Sequence, residues 1–229
     1  MKRNATRVTG LFASLSIVAL LATGASAALR VPQVPVLGGG LQTYLNSVGE
    51  SINVLTDQDA TQTWQSTVSG NSTFTLMIEL SGDAALNAVG IYNAGLAAPP
   101  LYQVFPGAAS AGWFAVASFE TGPTRVVVNL FDDQANLMGV TTYLGADATN
   151  FGYYLQGTGP TFYTQDARNP GGAAHALTYA GTGVNSGQWW LCWEDGTDQD
   201  FDDSVLFLES VAPTPVSATS WGALKRRFR

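Results

Sequence analysis

The chain has 229 residues, and its 17 acidic side chains outnumber its 10 basic ones, leaving a formal net charge of −7. This acidity argues against nucleic acid as a partner, because binding a polyanion depends on neutralising phosphates with Lys and Arg. A single cysteine, Cys192, excludes an intrachain disulfide, so stability must come from the core or from another staple such as a metal.

In chain order, the first 27 residues read as a secretory signal peptide. Lys2, Arg3 and Arg7 precede the apolar run "LFASLSIVALLA", and Ala25 and Ala27 supply the small residues of a cleavage site. Export would remove three of the ten basic residues and no acidic one. The run is short for a membrane span, and no later stretch reaches about 18 apolar residues, so no transmembrane segment is expected in the mature chain. Pro and Gly then make residues 28–42 an extended lead-in, and "TYLNSVGESINVL" reads as a short helix interrupted by Gly49.

From there the pattern is β. "STFTLMIEL", "LNAVGIYN", "LYQVF", "WFAVASF", "TRVVVNLF", "LMGVTTYL", "FGYYLQ", "TFYTQD", "AHALTYA", "GQWWLCWE" and "DSVLFLESV" are short strand-like runs bounded by turn signals. "DDQAN" makes a hairpin of the fifth and sixth. The expectation is an all-β fold: a single antiparallel β-sandwich, jelly-roll-like, over residues 43–211, followed by a Pro-containing basic tail at 212–229. "VGIYNAG" and "FGYYLQG" share Gly, Tyr and Gly at an offset of 62 residues, which we read as two similar strand-to-loop exits and not as a repeat.

One stretch carries the chemistry. "WEDGTDQDFDDSV" places Glu194, Asp195, Asp198, Asp200, Asp202 and Asp203 within ten positions between two apolar strands. Carboxylates about 6 Å apart repel by roughly 0.7–3 kcal/mol per pair, so a counter-charge is expected. Asp198, Asp200 and Asp202 alternate, a spacing that lets side chains in a tight loop converge. Ca²⁺ requires six to eight oxygen ligands, which carboxylates and loop carbonyls supply, and Gly196 and Thr197 would let the backbone bend. The six acids are therefore candidate calcium ligands. An EF-hand is excluded, because its sixth position requires Gly and has Asp203, and the flanks are strands. Mg²⁺ tends to keep its waters, and zinc lacks donors beyond His175 and Cys192. A solvated acidic hairpin tip is the plain alternative.

Beyond these residues, "FGYYL", "TFYTQDARNPGGAAHAL" and "WWLCWEDGTDQDFDDSVLFL" resemble the domain of unknown function 4114 family of bacterial extracellular proteins. The resemblance spans about residues 70–211. It implies Glu194, Asp198, Asp200 and Asp203 as motif acids, with Asp202 where Asn is commoner. It adds Asp166 and Asn169 as further candidate ligands, and His175, from a loop packed beside the acidic one. It also implies a secreted or cell-surface β-sandwich, reached by periplasmic transit, with no established activity. Relatives often end in a PEP-CTERM sorting signal, but this tail keeps the Pro and the basic end without the apolar span. Trp221, Leu224 and Phe228 among Lys and Arg also suit a short amphipathic helix, or a disordered tail.

The expected function is a non-catalytic, calcium-binding module with a structural or adhesive role outside the cell, its partners being calcium and surface or matrix glycans or proteins. The alternatives are a carbohydrate-binding domain, or a glycosidase using paired carboxylates. Acids clustered in one loop suit a cation better than two opposed catalytic groups, and no G-x-S-x-G nucleophile motif is present.

Overall fold

The computed structural model describes residues 40–67, 71–78, 84–122, 124–196 and 198–214. The expected signal peptide, the lead-in up to residue 39 and the tail from 215 lie outside the described residues, as does Thr197. No helix among the described residues is long and apolar enough to cross a membrane.

A short helix, α1 (Gly40–Ser47), precedes fourteen strands: β1 (Gln58–Asp59), β2 (Trp64–Ser66), β3 (Asn71–Ile78), β4 (Ala88–Asn93), β5 (Leu101–Phe105), β6 (Phe114–Thr121), β7 (Thr124–Phe131), β8 (Leu137–Leu144), β9 (Phe151–Gln156), β10 (Phe162–Tyr163), β11 (Ala176–Ala180), β12 (Trp189–Trp193), β13 (Ser204–Glu209) and β14 (Val211–Pro213). One sheet runs β1-β11-β12-β13-β3-β6-β7-β8. The other runs β14-β2-β9-β4-β5, with β10 also paired to β9. All pairings are antiparallel. The expected all-β sandwich is thus the observed one.

Inward residues of both sheets form the main core. Trp64, Ile91, Val104, Phe105 and Tyr153 from the smaller sheet meet Ala115, Ala117, Val126, Leu191, Trp193 and Leu206 from the larger. A second core lies on the outer face of the larger sheet. There α1 and the segment after it set Leu41, Leu45, Ile52 and Val54 against Leu177, Tyr179, Trp190, Cys192, Phe201 and Val205. Cys192 is an inert thiol of this layer, and burial pushes its pKa well up.

Four expectations need correction. The helix begins at Gly40, inside the expected lead-in, and stops at Ser47, because Gly49 takes φ +86°. Residues 50–57 then pack on the sheet without helical structure. "TFYTQD" supplies only a two-residue strand before a 3₁₀ turn at Asp166–Arg168. "DSVLFLESV" is two strands: Ser210 adopts φ +58°, and the chain leaves the larger sheet there to join the smaller one as β14, two residues into the expected tail. β1 and β2 carried no strand signal.

The echo between residues 89–95 and 151–157 has a different cause from the one expected. β4 and β9 are neighbours, and their register sets Gly90 opposite Tyr154 and Tyr92 opposite Gly152. A Cβ on Gly90 would meet the Tyr154 ring at 2.6 Å, and one on Gly152 the Tyr92 ring at 2.5 Å. Each glycine therefore admits the tyrosine of the other strand, a reciprocal pair about Ile91 and Tyr153.

Candidate metal centre

The acidic stretch is the hairpin connection between β12 and β13, which pair from Trp189↔Leu208 to Trp193↔Ser204. Its two ends are held firmly. Glu194 N–H donates to the His175 carbonyl at 3.0 Å, and His175 Nδ1 lies 3.0 Å from the Glu194 carbonyl, so that nitrogen must carry the proton. The imidazole stacks on Phe162 with centroids 3.6 Å apart. At the other end Asp195 N–H donates to Asp203 Oδ2 at 2.7 Å.

The middle of the loop is anchored by Phe201, which is fully buried in the second core. Gln199 and Phe201 both lie in the left-handed region, at φ 60° and 55°. That conformation is costly for a bulky residue, and burial of the Phe201 ring offsets the cost.

With the loop so bent, Glu194, Asp198, Asp200 and Asp203 each bring a carboxylate oxygen to one place, and these four atoms lie within 4.8 Å of one another. Glu194 is 2% exposed and Asp203 8%, while Asp200 is half-buried and Asp198 is exposed. Gly196 N–H donates to Glu194 Oε1 at 2.9 Å, but no hydrogen bond reaches the buried Glu194 Oε2.

Burial and then the charge of Asp198 raise the Glu194 pKa above the ordinary carboxylate range. Asp203 is raised too, by burial first and then by Asp195 and Glu194, against the pull of the Asp195 amide. Burial and Asp200 push Asp202 up to about 6. The two described basic side chains act elsewhere. Arg125 pairs with Glu120 at 2.7 Å, and Arg168 donates to the carbonyls of Ala94 and Leu96 and lies over the Tyr92 ring.

The candidate ligands therefore divide. The four motif acids come together. Asp195 turns aside, its Oδ2 accepting from Asn87 Nδ2 at 2.6 Å. Asp202 is buried outside the four-carboxylate group, its N–H donating to Asp200 Oδ1 at 3.4 Å. Asp166 accepts from Gln62 Nε2 at 3.0 Å. Asn169 braces its own loop, its Oδ1 accepting from Tyr163 N–H and its Nδ2 donating to the carbonyls of Tyr163 and Ala173. Of that neighbouring loop it is His175 that touches the acidic one, through its carbonyl and its imidazole Nδ1, both on the Glu194 backbone. Sequence reasoning missed Asn87 and Phe201. The signal for Phe201 was available, since it is the one apolar residue between Trp193 and Val205.

The donor set fits a calcium ion. Ligands on opposite sides of an ion with about 2.4 Å bonds stand roughly 4.8 Å apart, so four oxygens at this spread fit one coordination sphere. Carbonyls and water would complete it.

No family model and no curated protein matches the chain. Among solved structures, the Chromobacterium violaceum lectin CV2L, in complex with alpha-methyl-fucoside, is similar at 14% identity, covering 69% of this chain and all of its own, with a TM-score of 0.30. A likeness of that size carries no weight for fold or ligand.

Proposed function

We propose that the protein is an exported, non-catalytic β-sandwich module whose β12–β13 loop binds Ca²⁺ through Glu194, Asp198, Asp200 and Asp203, and whose role outside the cell is structural or adhesive. The observation that carries the calcium reading is Glu194 Oε2, a buried carboxylate oxygen without a hydrogen bond, set among three further carboxylates with no described basic side chain to neutralise them. Burying such a charge unpaired is strongly unfavourable, and a divalent ion at that point removes the penalty. The four acids converge on one point instead of facing each other across a cleft, which supports binding over general acid–base catalysis. Export rests on the signal-peptide pattern of residues 1–27.

Terbium titration tests the site directly. Trp193 adjoins Glu194, so Tb³⁺ in the loop should emit on Trp excitation, and Ca²⁺ should displace it. No sensitised emission, or emission unchanged in Asp200→Asn, would sink the calcium reading.

Carbohydrate binding is the second reading. An open groove of about 350 Å³ is lined by Asp59, Thr61, Gln62, Gln165 and Thr214, whose amides and hydroxyls suit sugar hydroxyl groups. A glycan array separates the two: signal that survives chelation and falls in Gln165→Ala supports this groove.

A further inference from the structure

The groove of about 350 Å³ lies where the chain crosses from β1 in the larger sheet to β2 in the smaller, and it is lined by residues 59–63, by Gln165 and by the end of β14. Thr214, just past β14, ties that wall to the crossing, its N–H donating to the Thr63 carbonyl at 3.0 Å. Much of the polar lining is already engaged. Gln62 is closed on Asp166, its Nε2 donating to Asp166 Oδ2 at 3.0 Å and its Oε1 accepting from the Asp166 N–H at 3.1 Å. The Thr61 hydroxyl donates to Asp59 Oδ1, and Thr214 Oγ1 is buried.

Capacity remains on Gln165 and Asp59, and their roles are opposite. Arg168 Nε at 2.5 Å and Tyr92 Oη at 3.0 Å both meet one end of the Gln165 amide. An arginine Nε can only donate, so that end is the carbonyl, and the two N–H groups of Nε2 are left for a ligand. Asp59 accepts the Thr61 N–H and hydroxyl on Oδ1, at 2.7 and 2.5 Å, which leaves Oδ2. An ionised carboxylate only accepts. The groove thus sets an oriented donor beside a charged acceptor.

Charge adds a filter. Asp59 carries the only charge among the described residues that line the groove. Arg168 stands behind Gln165, its Nη2 donating to the carbonyls of Ala94 and Leu96, and Asp166 stands behind Gln62. A ligand in the groove therefore meets a carboxylate with no lining cation beside it.

We propose, on the carbohydrate reading of this groove, that it selects saccharides without acid groups. One sugar hydroxyl donates to Asp59 while another accepts from Gln165 Nε2, and sugars bearing a carboxylate or sulfate are turned away by Asp59. A hydroxyl can take either role, whereas an ionised acid group can only accept and faces Asp59 as a like charge.

An array of neutral oligosaccharides and their uronate-, sialate- and sulfate-bearing counterparts, probed with the purified chain in chelator, tests this selectivity. Neutral glycans should bind at least about ten times tighter than their acidic counterparts, as a built-in repulsion requires. Asp59→Asn, whose amide oxygen can still accept from Thr61, should narrow that gap. Gln165→Glu keeps a carbonyl on Arg168 and Tyr92 and replaces only the donating end, so the folded variant should bind the strongest neutral glycan at least about tenfold more weakly. An array without any hit sinks the carbohydrate reading and this inference together. Neutral and acidic glycans bound alike, or neutral binding untouched by both variants, leaves saccharide binding standing and overturns the selectivity assigned to Asp59 and Gln165.

Discussion

Two buried glutamates flank the second core, and they are handled in opposite ways. Glu50, just after α1, is 4% exposed and accepts from Trp190 Nε1 at 2.8 Å, Asn185 Nδ2 at 2.7 Å, and both the N–H and the hydroxyl of Thr182. Burial pushes its carboxyl up, yet the Thr182, Asn185 and Trp190 hydrogen bonds outweigh that and hold it below the ordinary value. Glu194, 2% exposed, has only the backbone amides of Gly196 and Phe201 to draw its pKa down, an oxygen without a close hydrogen bond and three carboxylate neighbours, and burial and then Asp198 raise its pKa above the ordinary range. Burial alone therefore does not mark a binding site. A carboxylate supplied with donors is a strut, and one surrounded by carboxylates is left uncompensated, which makes it the candidate for a cation.

The largest expected effect falls on the Glu194 side. A ligand at about a thousand times its dissociation constant stabilises by roughly 4 kcal/mol, or about 10 °C in melting temperature for a domain of this size. Millimolar Ca²⁺ should raise the midpoint by about that much over chelator, and Asp200→Asn should lose most of the shift. A melting curve indifferent to Ca²⁺ would place Glu194 beside Glu50 as a structural group and break the comparison. Next in size, Glu50→Ala leaves four donor groups around an emptied site and should cost about 3 kcal/mol, equally with and without Ca²⁺, by chemical denaturation. A calcium-dependent cost there would mean that the two sites are coupled through Phe201 and the shared core.

The difference between the two glutamates was only half legible in the sequence. Six acids in ten residues announce the loop, because local spacing is all that a chelating hairpin needs. Spacing alone did not say which four converge, although the family resemblance had set Glu194, Asp198, Asp200 and Asp203 apart as motif acids, since convergence depends on Gln199 and Phe201 taking left-handed φ and on Phe201 being held in a core built partly from α1. Asp195 was drawn away by Asn87, a partner 108 positions distant, and Asp166 by Gln62, 104 positions distant. Glu50 had no sequence signal at all. Its donors come from around residues 182–190, which only the tertiary fold brings near. The strands were legible where turn residues bound them, as at β7, β8 and β9. They were lost where a strand is two or three residues long and is defined by its neighbours, as at β1 and β2, and β10 was drawn too long for the same reason.

The smallest expected effects separate the glutamates by sign. The carboxyls of Glu194 and Asp203 are raised in the folded state, so the fold holds more protons than the unfolded chain does. Their contribution is favourable at low pH and is lost as pH rises from the ordinary carboxylate range through the raised values. Glu50 runs the other way: its carboxyl is depressed, so its contribution is present above the ordinary range and is lost as pH falls through the depressed value. In chelator, stability should therefore decline by about 1 kcal/mol or more between pH 5 and pH 8, the scale of one pKa unit. Glu194→Gln removes one of the mutually repelling charges and should flatten that decline, stabilising the calcium-free protein at pH 8 by about 1 kcal/mol while abolishing the calcium response. Glu50→Gln should leave the alkaline decline in place and lower the whole curve above pH 5. If Glu194→Gln instead destabilises the calcium-free protein at pH 8, its carboxylate already has a partner that satisfies it, and the difference between the two sites disappears.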